Sequence, residues 1–143
     1  TAIESDGKTL AALPTRDALL PALAILHAAY SRAMPLSDLV SSLPSRYTAS
    51  DRIQNFATEK SGLLLKHWGA CPSELLALLR LTDRKVAKLD QTDGLRLTLD
   101  DGEVIHLRPS GNAPELRCYC ETDNPEGARE LVSHVLQQIK NIA

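Results

Sequence analysis

The chain has 143 residues, of which 43% are hydrophobic, 24% charged and only 3% aromatic, a composition typical of a soluble globular protein with an aliphatic core. The net charge of -2 without a basic stripe argues against nucleic-acid binding. The sequence contains no apolar run of about 18 residues, the length that a membrane-spanning helix needs. The three cysteines, Cys71, Cys118 and Cys120, do not pair off and lack CxxC spacing, so we expect reduced core thiols in a cytoplasmic protein rather than a redox or metal site.

The first third of the chain is predicted to be helical. An apolar pattern predicts a helix over 15–32, with a shorter one over 36–43. Such small apolar helices need a larger body to cover them, and the first residue is Thr rather than Met. We therefore expect residues 1–42 to be the tail of a domain whose beginning is absent. The Ser-, Thr- and Pro-containing stretch 43–51 predicts a linker or hinge.

The remainder, residues 52–143, combines helices with closely spaced strands. Asp-Gly pairs between alternating runs are strong hairpin signals, and they occur at 93–94 and 101–102. The predicted elements are a strand-like run at 52–56, helices at 58–68 and 72–81, strands at 85–90, 95–99, 103–108 and 115–121, and a closing helix at 124–142. This order predicts an α+β fold in which an antiparallel sheet of about four strands is backed by helices.

The stretch RPSGNAPELR, residues 108–117, is the part of the sequence that most suggests a binding site. A positive φ at Gly111 would let successive backbone N–H groups form a nest for an anion, and Ser110 and Asn112 add side-chain donors. Arg108 offers a planar fork that suits two phosphate oxygens, and Arg117 lies just inside the following strand. The same residues fit a plain hairpin loop with two solvated arginines equally well.

The order RPSGNAP followed by ELRCYCE resembles the C-terminal phosphate-binding loop and strand of the α-D-phosphohexomutases, the phosphomannomutase and phosphoglucomutase family. Members of that family typically show RPSGTEP followed by a strand of the type LRVYVE. The resemblance implies that residues 52–143 form the family's TBP-like fourth domain. It also implies that residues 1–42 are the helical remnant of an α/β third domain and that 43–51 is the hinge between the two.

The resemblance assigns roles to individual residues. It implies that Arg108, Ser110, Gly111 and Asn112 bind the non-reacting phosphate of mannose or glucose 1- or 6-phosphate, with Arg117 in support. Asn112 stands where the family usually has Thr, and it can still donate a hydrogen bond. Glu is usual at the next position, which is Ala in this chain, and this change removes a charge.

The family's other functional loops are missing from this sequence. It contains no TASHNP-like serine loop, no DGDGD-like metal loop and no GExSGH-like sugar loop, so we expect no catalytic residue, no metal site and no mutase activity in this chain alone. The resemblance implies that Mg²⁺ and a sugar bisphosphate intermediate belong to the full-length enzyme with its remaining domains. Asp100-Asp101-Gly102 is better explained as a hairpin turn than as a metal site. His106 shares a strand face with Arg108 and could border the phosphate, although a packed or solvated histidine is more common.

Two other readings of the sequence remain open. One is a stand-alone module that binds anions or sugar phosphates without catalysis. The other is a nucleic-acid binder, which a TBP-like fold suggests, but residues 43–143 hold 13 Lys plus Arg against 14 Asp plus Glu.

Overall fold

The computed structural model describes residues 3–5, 7–11 and 19–142. The chain divides into two compact units, Thr1–Pro44 and Ser45–Ala143. The first contains the antiparallel strand pair β1 (Ile3–Ser5) and β2 (Lys8–Leu10), and the helices α1 (Leu19–Ser31) and α2 (Leu36–Ser41). The two predicted helices are therefore present where the structure describes the chain, and the first part of the helix predicted over 15–32 lies outside the described residues. None of the described helices combines the length and the apolar character that a membrane crossing requires.

The second unit is a five-stranded sheet with three helices. All neighbouring strands are antiparallel, in the order β3-β7-β6-β5-β4. The elements are β3 (Tyr47–Gln54), α3 (Thr58–Ala70), α4 (Pro72–Leu78), β4 (Val86–Asp90), β5 (Leu95–Leu99), β6 (Val104–Pro109), β7 (Glu115–Thr122) and α5 (Pro125–Lys140). The α+β fold with an antiparallel sheet backed by helices is confirmed.

The sheet has a buried face and an open face. Along β7, buried residues alternate with half-exposed ones, so that Leu116, Cys118 and Cys120 lie in the core while Arg117 and Tyr119 lie on the opposite side. The core side packs against the helices, above all against the apolar stripe of α5, which contributes Leu131, Val132, Val135, Leu136 and Ile139. The opposite side, which we call the open face, carries most of the polar residues of β3, β6 and β7.

The linker predicted over 43–51 is wrong for residues 47–51, because they form most of β3. This strand is paired with β7 alone and lies at the edge of the sheet. Only Ile53 is buried in it, and Ala49 packs against the core, so its composition is that of a polar edge strand and was mistaken for a loop. The sheet consequently has five strands rather than about four.

Two Asp-Gly turns connect β4 to β5 and β5 to β6, as their sequences predict. Gly94 has φ +90° and Gly102 has φ +85°, a region that L side chains rarely adopt. The surroundings of these glycines differ. A Cβ at Gly94 would lie 2.3 Å from the carbonyl oxygen of Leu107 on β6, whereas a Cβ at Gly102 would meet nothing within 4 Å. The turn at Gly94 is therefore pressed against the end of β6.

This difference predicts unequal costs for the same substitution. Gly102→Ala should lower the free energy of unfolding by about 1–2 kcal/mol because of its positive φ. Gly94→Ala should lower it by roughly 1–3 kcal/mol more, because the added methyl group collides with backbone. The measurement is urea unfolding followed by the fluorescence of the single tryptophan, Trp68, which is 3% exposed in the core of this unit. Equal losses in the two variants would show that the turn does not press on β6.

Candidate phosphate-binding site

The loop between β6 and β7 is closed by backbone hydrogen bonds. The N–H of Ser110 donates to the carbonyl of Glu115 at 2.8 Å, and the N–H of Glu115 donates to the carbonyl of Ala113 at 2.8 Å. Outside the hairpin, the N–H of Phe56 donates to the carbonyl of Pro114 at 2.8 Å. The loop is therefore held at its base and at its far side, and little backbone entropy remains to be lost when a ligand binds.

Three arginines lie in one row across the sheet, beside the base of this loop. The register places Arg108 of β6 opposite Arg117 of β7, and Arg117 opposite Arg52 of β3. Directly paired residues on neighbouring strands share a face, so all three side chains lie on the open face. Like charges at such positions repel one another, and the row is therefore a place where an added anion is favoured.

Two carboxylates partly neutralise the row. Asp93, in the turn after β4, contacts Arg108 with 2.9 Å between Oδ1 and Nε. Glu115 lies between the other two arginines, 3.5 Å from Nε of Arg52 and 3.8 Å from a terminal nitrogen of Arg117. The contact through Nε engages one of the five N–H donors of the Arg108 guanidinium, whose terminal nitrogens carry the other four.

The predicted loop residues occupy different environments. Ser110 is buried, and its Oγ accepts a hydrogen bond from the N–H of Asn112 at 3.4 Å, which leaves the hydroxyl hydrogen available for donation. Gly111 and Asn112 are exposed. The N–H groups of Gly111 and Ala113 have no partner among the described residues, so they are available to an anion.

The expected reason for the glycine at position 111 is wrong. Its φ is not in the positive range, so the nest that the sequence suggested does not form in this way. A Cβ at this position would meet nothing within 4 Å, so neither the backbone conformation nor packing within the chain requires glycine. The loop instead presents open space above its backbone.

His106 borders the site through the turn rather than through the loop. Its Nε2 donates to the carbonyl oxygen of Asp93 at 2.6 Å, in the tautomer that carries hydrogen there, and its ring lies 5.6 Å from that of Tyr119. The histidine thus fixes the turn whose carboxylate contacts Arg108. The sequence placed His106 on the same face as Arg108 but gave no sign of this contact.

A groove of about 450 Å³ on the open face adjoins the arginine row and is lined by Ser50, Asp51, Arg52, Arg117 and Tyr119. Asp51 in its lining and Glu115 beside it bring two negative charges to its two arginines. The charges in and around the groove are balanced, and the loop is the better candidate for an anion. Arg52 was missed from the sequence because nothing in its local pattern reveals which residue of β7 it faces.

The other candidate groups lie away from the loop and serve the fold. The side chain of Asp101 pairs with Arg84 at 2.8 Å, and Asp100 accepts a hydrogen bond from the N–H of Lys85 at 3.1 Å. In the described part of the chain, no three His, Cys, Asp or Glu side chains are grouped so that they could hold a metal ion.

Cys118 and Cys120 are both fully buried, with 3.7 Å between their sulfur atoms. The hydrogen bond with Cys120, together with burial, raises the pKa of the Cys118 thiol far above its ordinary value. A thiol that is protonated and inaccessible is a poor nucleophile and a poor metal ligand. The prediction of core cysteines is confirmed for this pair, whereas Cys71 is partly exposed.

Comparison with known proteins identifies the class to which this fold and loop belong. Residues 66–138, half of the chain, match the family model of the phosphoglucomutase/phosphomannomutase C-terminal domain. The chain therefore belongs to this family, as its resemblance to the phosphohexomutases predicted.

Individual relatives extend the match over most of the chain. A phosphomannomutase from Salmonella muenchen is 44% identical over 134 residues, which cover 94% of this chain and 28% of the relative. A phosphomannomutase from Sinorhizobium fredii is 43% identical over 130 residues, covering 91% and 27%. A probable phosphoglucosamine mutase from Methanopyrus kandleri is 32% identical over 102 residues, covering 68% and 19%. The chain thus spans little more than a quarter of the two phosphomannomutases.

The buried thiol predicts a pH dependence of stability. The ordinary pKa of a cysteine thiol is 9.0, so above this pH Cys118 ionises in the unfolded chain. In the folded chain, where its pKa is raised, it stays protonated. The unfolded state then binds fewer protons, so this thiol should lower the unfolding free energy by about 1.4 kcal/mol per pH unit above that value. Urea unfolding from pH 8 to 10.5 should show a shallower decline in Cys118→Ala. Leu116→Val, which alters a buried neighbour without a titrating group, should keep the original decline. Equal slopes in all three proteins would show that ionisation of Cys118 does not cause the decline.

Proposed function

We propose that this chain is the C-terminal part of a phosphomannomutase in which loop 108–115 and Arg108 bind the non-reacting phosphate of mannose or glucose 1- or 6-phosphate. The observation that carries the proposal is the position of Arg108, the last residue but one of β6, beside a closed loop with two N–H groups that no described residue engages. A guanidinium and backbone N–H groups together are a strong donor set for a phosphate.

The hydrogen-bond donors of the proposed site contribute in different ways. Arg108 supplies charge and a planar pair of terminal N–H groups, while Gly111 and Ala113 supply backbone N–H groups. The hydroxyl of Ser110 and the amide of Asn112 complete the set from the two residues that flank Gly111. Arg117, 39% exposed and directly opposite Arg108, adds positive potential and acts in support. Such an arrangement positions a substrate and performs no bond chemistry.

The bond chemistry would come from the rest of the enzyme. The sequence contains none of the serine, metal and sugar loops that the family's reaction needs, so Mg²⁺, the phosphoryl-donating serine and the sugar bisphosphate intermediate belong to the remaining mutase domains. In this proposal the unit Thr1–Pro44 is the end of the third domain. The chain alone is inactive, and the whole protein works in the cytoplasm, where the three thiols of this chain stay reduced.

The proposal predicts a localised response to sugar phosphates. Backbone amide NMR shifts recorded while mannose 1-phosphate or mannose 6-phosphate is added should move at residues 108–117, similarly for both sugars, because the phosphate is the part that is bound. The affinity should be weak, about millimolar, since a single clamp must offset the entropy of association. Arg108→Ala should weaken it at least roughly tenfold.

The matched control is Arg129→Ala, which removes a 63% exposed arginine from α5 that is likewise paired with a carboxylate. It changes the net charge by the same amount and should leave the titration unchanged. If the two variants weaken binding equally, the attraction is a general effect of charge. Shifts confined to other parts of the chain would also refute the proposed site.

A second prediction concerns Gly111. Because its φ is not positive and a Cβ would meet nothing within 4 Å, Gly111→Ala should change the unfolding free energy by less than about 0.5 kcal/mol. If phosphate lies against the loop backbone there, the added methyl group should nevertheless weaken sugar phosphate binding several-fold. Unfolding and titration of the same protein sample separate the two effects. Unchanged affinity would mean that the phosphate does not approach position 111.

A further inference from the structure

We propose that Asp93 is a positioning residue for this site: its carboxylate holds Arg108 through Nε, so that the terminal nitrogens remain free for the phosphate. This role rests on the proposed function, because it concerns the same guanidinium. It assigns a part to the turn between β4 and β5, which lies 15 residues before Arg108 in the sequence and outside the loop motif.

The contact itself has the geometry of a charge-assisted hydrogen bond. The Oδ1 atom of Asp93 lies 2.9 Å from Nε of Arg108. The side chains are 61% and 36% exposed, respectively, and a pair this accessible to water contributes little to stability. The contact can nevertheless orient Arg108, because one well-placed acceptor restricts the many rotamers of a long side chain.

The turn that carries Asp93 is fixed without using that carboxylate. His106 donates to the main-chain carbonyl of Asp93 at 2.6 Å, and Asp90 accepts a hydrogen bond from the N–H of Thr92 at 2.8 Å. The next residue, Gly94, packs so closely against Leu107 that no side chain fits there. The turn should therefore keep its shape when the side chain at position 93 is changed, and a substitution there reports on the contact with Arg108.

If the Asp93 carboxylate acts only through its charge, its removal should change phosphate binding in the opposite direction from its removal if it orients Arg108. A negative charge beside an anion site repels the ligand, so its loss should strengthen binding if only the electrostatic potential matters. If the carboxylate orients Arg108, its loss should weaken binding in spite of the lower repulsion. The sign of the change therefore separates the two explanations.

The experiment titrates mannose 1-phosphate into the unchanged chain and into Asp93→Ala, Asp93→Asn and Asp101→Ala. The asparagine keeps an oxygen that can accept from Nε but carries no charge. Asp101 is the matched control, because it precedes the glycine of the other Asp-Gly turn, pairs with Arg84 and lies at the opposite end of β6, about 20 Å away along six residues of strand. In parallel, the NMR signal of the Arg108 Nε–H is followed without ligand.

We expect Asp93→Ala to weaken binding roughly three- to tenfold and to abolish the distinct Nε–H signal, Asp93→Asn to restore both, and Asp101→Ala to change neither. Unchanged or tighter binding by Asp93→Ala would overturn the inference while leaving the phosphate site intact. Equal weakening in the alanine and asparagine variants would also overturn it, since the acceptor would then not matter. If the unchanged chain shows no shifts at 108–117, the proposed function itself fails and this role fails with it.

Discussion

The antiparallel register of β6 and β7 is the constraint on which the rest of the site depends. It pairs Leu107 with Cys118 on the core face and Arg108 with Arg117 on the open face. A slip of one residue would turn both arginines into the core and expose buried apolar side chains. Since Leu107 and Cys118 are completely buried, the hydrophobic core determines where the arginines stand relative to the loop. The packing that stabilises the sheet thereby also places the proposed donors for phosphate.

The same register places like charges next to one another on the open face. Three arginines stand side by side, and among the described residues only the carboxylates of Asp93 and Glu115 pair with their guanidinium groups. Such a row of arginines favours the binding of an anion, because the anion reduces the repulsion between their positive charges. Asp93 and Glu115 limit that repulsion in the free chain. Since Asp93 contacts Nε of Arg108, it can do so without using the terminal nitrogens that suit a phosphate.

The local signals in the sequence predicted much of this unit, but not the contacts between distant segments. The Asp-Gly turns, the amphipathic α5 and the RPSGNAP loop are short-range patterns, and each lies where it was expected. Strand β3 was mostly missed because an edge strand that buries little more than Ile53 has no clear apolar alternation. The neighbours of Arg108 depend on the register of the sheet and on a turn 15 residues away, and neither can be read from one stretch of sequence. Gly111 was expected to adopt a positive φ, and it does not, because the conformation of a loop depends on contacts that its own residues do not reveal.

In the proposed site, the phosphate of a sugar phosphate is held where β6 enters the loop. The most direct test is a crystal structure of this chain grown with mannose 1-phosphate. We expect phosphate density between the terminal nitrogens of Arg108 and the N–H of Gly111, with Nε still contacting Asp93. Phosphate bound only elsewhere, for example beside the exposed Arg129 on α5, with the loop and Arg108 unchanged at a saturating concentration of ligand, would refute this site.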